Sequence, residues 1–486
     1  MIIPKQQKMC FGIDTPSAWV EKELGTIELG DERLNRRAKD VLTKMSHHPT
    51  GSIPLNCNEW SDTKGTYALF KNKKVTGEKM IAPHQRETWE RVKAHECVLA
   101  LQDTTLLDYT HYETTTGLGS IGTKKQNIRG MLMHNTIAVT TEGLPLGTLR
   151  QDIWVRPEKG EEGKNEGEEG AKKDNRPIEE KESYRWIHAM KAVQAAAPAG
   201  TKVISVSDAE SDIYELFVAA EQYGAQYVTR AAQKERCLLD PTAEKLRSAV
   251  LSNDPVAQMG IDVSAKDGTP ARKATVSVRY RRVKIKPPYR SSNTPKLPPI
   301  YTTAILVKEI NPPAGCTPVE WLLLTNVPVR ATEDALQCIG YYCLRWQVEI
   351  FHKILKSGCR VEHRRLKSAD RLRPCIALLS IIAWRIHWMT HLLRTQPDAP
   401  CSTVLADSEW RALYTLATRL TEPPPTIPTI EQAILWIAQL GGFLARKRDG
   451  QPGVTVIWRG WQRLQDAVAM WQILNPPNPQ KDMGKT

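Results

Sequence analysis

The chain has 486 residues, 41% hydrophobic and 25% charged, an ordinary globular composition with length for about two to four domains. Sixty-seven Lys and Arg stand against 54 Asp and Glu, a formal net charge of +13, which points to a polyanionic partner, nucleic acid first. Ten scattered cysteines with no CxxC pair, and eleven histidines, exclude a disulfide framework and zinc-finger spacing and fit a reduced, cytosolic setting. No apolar leader is expected, and the run IALLSIIAW is too short to span a bilayer.

Residues 15–75 read as helical. In LGDERLNRRAKDVLTKM, Asp31 is a candidate N-cap; Leu34, Ala38, Val41, Leu42 and Met45 form an apolar stripe, with Arg33, Arg36, Arg37 and Lys44 largely elsewhere. From residue 97 the texture changes. CVLALQD predicts a short strand ending at Asp103, and MLMHNTIAVTTEGLPLGTLRQDIWV two strands around a Glu142-Gly143 turn. The polar segment 156–182, with ten acids against six bases between Glu158 and Glu182, reads as a mobile loop. A helix from about Tyr184 to Ala197, a strand ending at Asp208, a helix through SDIYELFVAAEQ and the strand AQYVTRA follow. This order predicts an α/β fold with a mixed sheet and helices packed on it.

Residues 235–325 interrupt the alternation and read as an inserted β-rich subdomain, basic in TVSVRYRRVKIKPPYR. A long helix is expected from about Ala331 to Lys356, and beyond about residue 370 the chain reads as helical, broken at TQPDAP and EPPPTIP. Three domains are expected: 1–76 helical, 77–396 α/β with the insertion, and 397–486 helical.

Chemistry gathers on YYCLRWQVEIFHKILK. At ~100° per residue, Tyr342, Arg345, Glu349 and Lys356 fall within roughly 60° of one another. Val348, Phe351, Ile354 and Leu355 supply the opposite, packing arc. Two strands end in aspartate, Asp103 and Asp208, where open α/β sheets form sites. With Glu349 they make three carboxylates without His or Cys, a donor set for hard cations such as Mg²⁺. Two such ions ~3.5–4 Å apart can clamp the attacking and leaving oxygens of a phosphodiester displacement. Tyr342, Arg345 and Lys356 would then donate to phosphate oxygens, and Arg364 and Arg365 could reach DNA just beyond. GLGSIG (117–122) spells a dinucleotide fingerprint, but no helix follows it, so a turn is expected. His47, His48 and His111 lack ligand-spaced partners, and Trp458 and Trp461 read as packing residues.

This order of elements resembles the ribonuclease-H-like core of DDE transposases. Tyr342-x2-Arg345-x3-Glu349-x6-Lys356 matches the Y-R-E-K signature of the insertion-sequence-four family, nearest its transposon-five subgroup. Segments LGDERLNRRA, QDTTLLDYTH, SDAESDIYE, EINPPAGCTPVEWLLLTNVPV and LGGFLARKRDG extend the likeness nearly end to end. The resemblance implies a ribonuclease-H-like mixed sheet with a β-rich insertion and α-helical N- and C-terminal domains. It makes Asp103, Asp208 and Glu349 a metal-binding catalytic triad for two Mg²⁺ ions, with Mn²⁺ able to substitute. Tyr342, Arg345 and Lys356 would hold transposon-end DNA, Trp321 would stack on a flipped base, and Arg230 would contact a DNA hairpin. A homodimer bridging two ends through the C-terminal helices is implied, acting on end and target DNA in a bacterial cytoplasm. The activity implied is cut-and-paste transposition: nicking, hairpin formation, hairpin opening and strand transfer. A nuclease without strand transfer and a non-catalytic DNA-binding relative remain open.

Overall fold

Among the described residues ten strands share one mixed sheet: β1 Cys97–Asp108, β2 Gly119–Ser120, β3 Arg129–Thr140, β4 Pro145–Trp154, β5 Lys202–Ser207, β6 Gln226–Arg230, β7 Ala257–Val263, β8 Arg272–Ile285, β9 Ile300–Glu309 and β10 Glu320–Thr325. Their order is β2-β3-β1-β5-β6-β10-β9-β8-β7, with β4 also on β3. The structure, a computed structural model, describes residues 18–476 except 58, 123–126, 158–175, 240–244, 264–270, 290–295 and 423. Most of the acidic segment expected to be a loop (156–182) therefore lies outside the described residues.

β1, β5 and β6 run parallel, and every other pairing is antiparallel. Helices Tyr184–Ala196 and Tyr214–Gln222 carry the parallel crossovers and pack on one face, over Trp186, Phe217 and Tyr227. The opposite face meets helices Thr332–Leu344, Trp346–Lys353 and Ala369–Thr395. Being covered on both sides explains why Trp321 to Leu324 in EWLLLT are continuously apolar: Leu322 and Leu324 enter one cluster and Leu323 the other.

The β-rich insertion carries β7–β10, and because β10 pairs with β6 these strands extend the same sheet. Two expectations need correction. β1 does not end at Asp103 but continues to Asp108, because pairing with β3 persists after pairing with β5 has stopped at Leu101↔Val206. The long helix breaks at Arg345 into Thr332–Leu344 and Trp346–Lys353, then widens into a π turn, Ile354–Gly358. Such single π turns recur at functional sites.

The helical ends pack onto this layer. Asp31 caps helix Glu32–His47 by accepting from the Arg33 amide, and Ala38, Val41, Leu42 and Met45 are buried as the stripe predicts. Trp461, on helix Val454–Leu474, donates Nε1–H to the Ser46 carbonyl at 2.9 Å. Trp458 and Trp461 are both buried, as packing residues. GLGSIG forms a bend and the two-residue β2, and the next element among the described residues is β3. Helix Ala369–Thr395 is long and apolar enough to cross a membrane, but its whole apolar window is buried inside the protein.

Candidate active site

Asp103 sits where β1 loses its parallel neighbour. Pairing with β5 ends at Leu101↔Val206, and Asp103 pairs only with Asn135 on β3. Asp208 directly follows β5 and caps the turn Ala209–Ser211, its Oδ1 accepting from the Glu210 amide at 3.0 Å. Adjacent parallel strands thus bring the two carboxyls to the sheet's carboxyl edge. Burial pushes the Asp208 carboxyl above its usual range; the Glu210 amide opposes this, the Asp103 and Glu210 charges add to it, and Arg345 offsets part.

Glu349 reaches this edge from the opposite layer. Its Oε1 accepts from Arg345 Nη2 at 2.6 Å, an i,i+4 pair across the helix break. Burial works against the Arg345 charge, but Tyr342, Glu349 and Asp103 outweigh it and raise the guanidinium's affinity for its proton. The guanidinium also lies 5.8 Å from the Tyr342 ring, which meets the half-buried Trp321 edge-on at 5.7 Å. Trp321, Tyr342, Arg345 and Glu349 therefore form a continuous ladder from β10 to the carboxylates. Arg230 pairs in register with Leu323, so it lies on the same face of the sheet as Trp321.

Lys356 stands apart from that ladder. The expected stripe presumed one unbroken helix; after the break and inside the π turn, Lys356 Nζ lies 3.4 Å from Glu362 Oε1. Glu362 also accepts from the Asp108 amide at 2.9 Å, which places Lys356 beside the far end of β1. Arg365 lies 5.8 Å from the Tyr112 ring, in a cleft of about 430 Å³ that Arg360, His363 and Tyr67 also line. Arg364, read as able to reach DNA, is instead buried: it donates to the Pro49, Gly51 and Cys359 carbonyls and ties the N-terminal loop to the core.

Two residues escaped the sequence reading. His352, three positions after Glu349, sets Nδ1 3.5 Å from Asp103 Oδ2, while Asn135 Nδ2 lies 3.0 Å from His352 Nε2. The amide can only donate there, so Nε2 accepts and Nδ1 carries the proton toward Asp103. Gln151 holds Asn135 Oδ1 at 3.0 Å and thereby fixes the amide's orientation. The i+3 spacing from Glu349 was the available signal. His352→Ala is expected to slow strand cleavage roughly 10–100-fold, as loss of an orienting partner does, with DNA binding within twofold. Parallel single-turnover cleavage and gel-shift measurements check this.

The donor chemistry suits a hard divalent cation, since two adjacent carboxyls, one raised by burial and by its neighbour's charge, gain from a shared positive ion. Among the described residues, however, no three His, Cys, Asp or Glu side chains are grouped to hold one ion. Glu349 is engaged by Arg345 through Oε1.

Residues 16–75 match the transposase DNA-binding family, residues 180–384 the transposase DDE domain, and residues 381–471 the transposase Tn5 dimerisation domain. The chain belongs to the Tn5-like DDE transposases. The transposase is thus a divalent-metal-dependent enzyme that binds DNA and forms a homodimer. Its DDE match spans Asp208 and Glu349 but starts after β1 to β4, so Asp103 enters the site through the sheet register alone.

Proposed function

We propose that the transposase works by cut and paste, with Asp103, Asp208 and Glu349 holding Mg²⁺ ions at one active site, and Mn²⁺ able to replace them. What supports this reading is the position of Asp103 and Asp208 at the ends of the paired stretch of neighbouring parallel strands, with Glu349 bound to Arg345, whose charge bears on both aspartates. Bound divalent ions would polarise the scissile phosphate and activate the attacking oxygen. Each step is the same displacement at phosphorus: water nicks a strand, the freed 3′-OH attacks the opposite strand to form a hairpin, water reopens it, and the 3′-OH joins target DNA.

The other residues have roles in holding DNA. Tyr342 and Arg345 donate to phosphate oxygens near the cut, and an arriving phosphate competes with Glu349 for Arg345. That competition would free the carboxylate for metal when substrate is present. Lys356 and Arg365 hold the strand farther along, Arg230 contacts the hairpin, and Trp321 takes a flipped base on its indole face. Residues 1–76 and the 235–325 insertion recognise the end, 77–396 cut it, and 397–486 join two protomers. The enzyme would act on nucleoid DNA in a bacterial cytoplasm.

The test is a labelled linear duplex carrying the element's ends, incubated with Mg²⁺ and resolved on denaturing gels. Hairpin-ended fragments and joined products support cut and paste; cutting with neither favours a nuclease, and binding without cutting a non-catalytic relative. Trp321→Ala should leave the first nick within about threefold while cutting hairpin yield about tenfold, the scale of one lost stacking contact of ~1–3 kcal/mol. Equal loss at both steps would mark Trp321 as a packing residue.

A further inference from the structure

Cations in the β7–β10 extension divide into two kinds. Arg272 pairs with Glu309, and Arg247 and Lys234 both pair with Glu320. Arg279 donates to the Asn253 carbonyl and to Ser277 Oγ. Arg282 and Lys284 differ: among the described residues neither forms an ion pair with a carboxylate, and both sit over the ring of Tyr301. Lys284 Nζ lies 4.8 Å from its centroid and the Arg282 guanidinium 5.9 Å. Tyr301 itself is 53% exposed. An exposed ring holding two unneutralised cations gains little for the fold, since such contacts at open sites amount to ~0.5–1 kcal/mol.

The register fixes where this cluster points. Lys284 pairs with Tyr301 and Arg282 with Thr303; Thr303 pairs with Thr325 on β10, and Val307 with Trp321. Side chains two apart along a strand share a face, so Arg282, Lys284, Tyr301, Trp321 and Arg230 all belong to one face of the sheet. Six strand positions separate Tyr301 from the level of Trp321, about 20 Å. That equals about six base-pair rises of a duplex. Beside Tyr301, at the end of β10 away from Trp321, lies a cleft of about 290 Å³ that Arg282, Tyr301, Asn326 and Arg330 line.

We infer that Arg282, Lys284 and Tyr301 form a phosphate-backbone clamp for the element's own end DNA, gripping the duplex about six base pairs inside the cleaved terminus. The inference rests on the proposed function, which puts that terminus at Trp321 and the carboxylates. Charge complementarity and the shared face select this occupant. Arg282 and Lys284 are spaced along the strand to meet successive phosphates, and the tyrosine keeps both cations positioned before DNA arrives and can donate its hydroxyl to the same backbone.

The test compares wild type with Arg282→Gln/Lys284→Gln and with Tyr301→Ala, using duplexes that carry the element's terminus, between 50 and 200 mM salt. Removing two phosphate contacts lowers the log–log salt slope by about 1.8. Over that range wild type should lose roughly tenfold more affinity than the double variant. Tyr301→Ala should fall between the two. A duplex truncated to four base pairs inside the cut should abolish the difference, while melting temperatures stay equal. Wild-type binding and cutting with an unchanged slope in the double variant would overturn the clamp and leave the transposase reading intact. A defect that persists on the truncated duplex would also overturn it. Failure of wild type itself to bind or cut the end would instead overturn the proposed function.

Discussion

Glu349→Gln is expected to reduce strand nicking by at least about 10³-fold while end binding stays within a few-fold. The amide keeps the side chain's shape and can still accept from Arg345 Nη2, which lies 2.6 Å from the carboxylate in the free protein. On the proposed mechanism, what it loses is the charge that would join Asp103 and Asp208 around a divalent ion. That ion's stabilisation of the transition state is worth several kcal/mol, and each 1.36 kcal/mol is a factor of ten. Single-turnover nicking, a gel shift and a thermal melt on one preparation give the answer. Binding lost in step with nicking would make Glu349 an organiser of the Arg345–Tyr342 ladder instead. Undiminished nicking would remove Glu349 from the chemistry.

The ladder shows where sequence reading succeeds and stops. Arg345 and Glu349 are four apart, so helical periodicity alone puts them in contact, and the break at Arg345 leaves that pair intact. Lys356 lies inside the π turn, and a one-residue widening of the helix is invisible in an apolar pattern; the real neighbour is Glu362. Asp208 was legible as a strand end because Asp followed by Ala-Glu-Ser caps a turn. Asp103 was placed at a strand end too early, since β1 keeps one partner after losing the other, and pairing partners are a tertiary matter. For the same reason the sequence shows β7–β10 as a β-rich insertion but not where it joins the sheet: nothing local in EWLLLT names β6 as its neighbour. His352 was passed over because a single His on a helix carries no period, and its meaning comes from Asp103 and Asn135, both distant in sequence.

Least legible was a buried charge cluster that holds the N-terminal helices to the catalytic layer, and it carries the second large expectation. Glu23 is buried on helix Ala18–Leu24; its Oε1 accepts from Arg91 Nη1 at 2.6 Å and its Oε2 lies 2.6 Å from His84 Nδ1. Arg91 also donates to the Leu146 carbonyl and lies 4.4 Å from the Trp384 ring, while the Thr148 amide donates to His84 Nε2 at 3.1 Å. Glu23→Ala would leave Arg91 charged and buried without its partner, a loss of about 3–5 kcal/mol. The double variant Glu23→Ala/Arg91→Met should lose less than the sum of the single changes, because no bare charge remains. Acid should act in the same direction. Burial alone would raise the Glu23 carboxyl, but Arg91 and His84 prevail and hold it at about 2. Its stabilisation is therefore complete above the unfolded value of about 4.3 and is lost as pH falls toward 2. His84 is pushed below its ordinary value by burial, so its contribution too declines as pH falls through about 6.5. Urea midpoints measured from pH 7 down to pH 3 should drop steeply in wild type and less steeply in Glu23→Ala. Because Glu23 lies within the DNA-binding match, end affinity should fall with stability. Equal midpoints for wild type and Glu23→Ala at pH 7 would show that the cluster orders these helices without stabilising the fold.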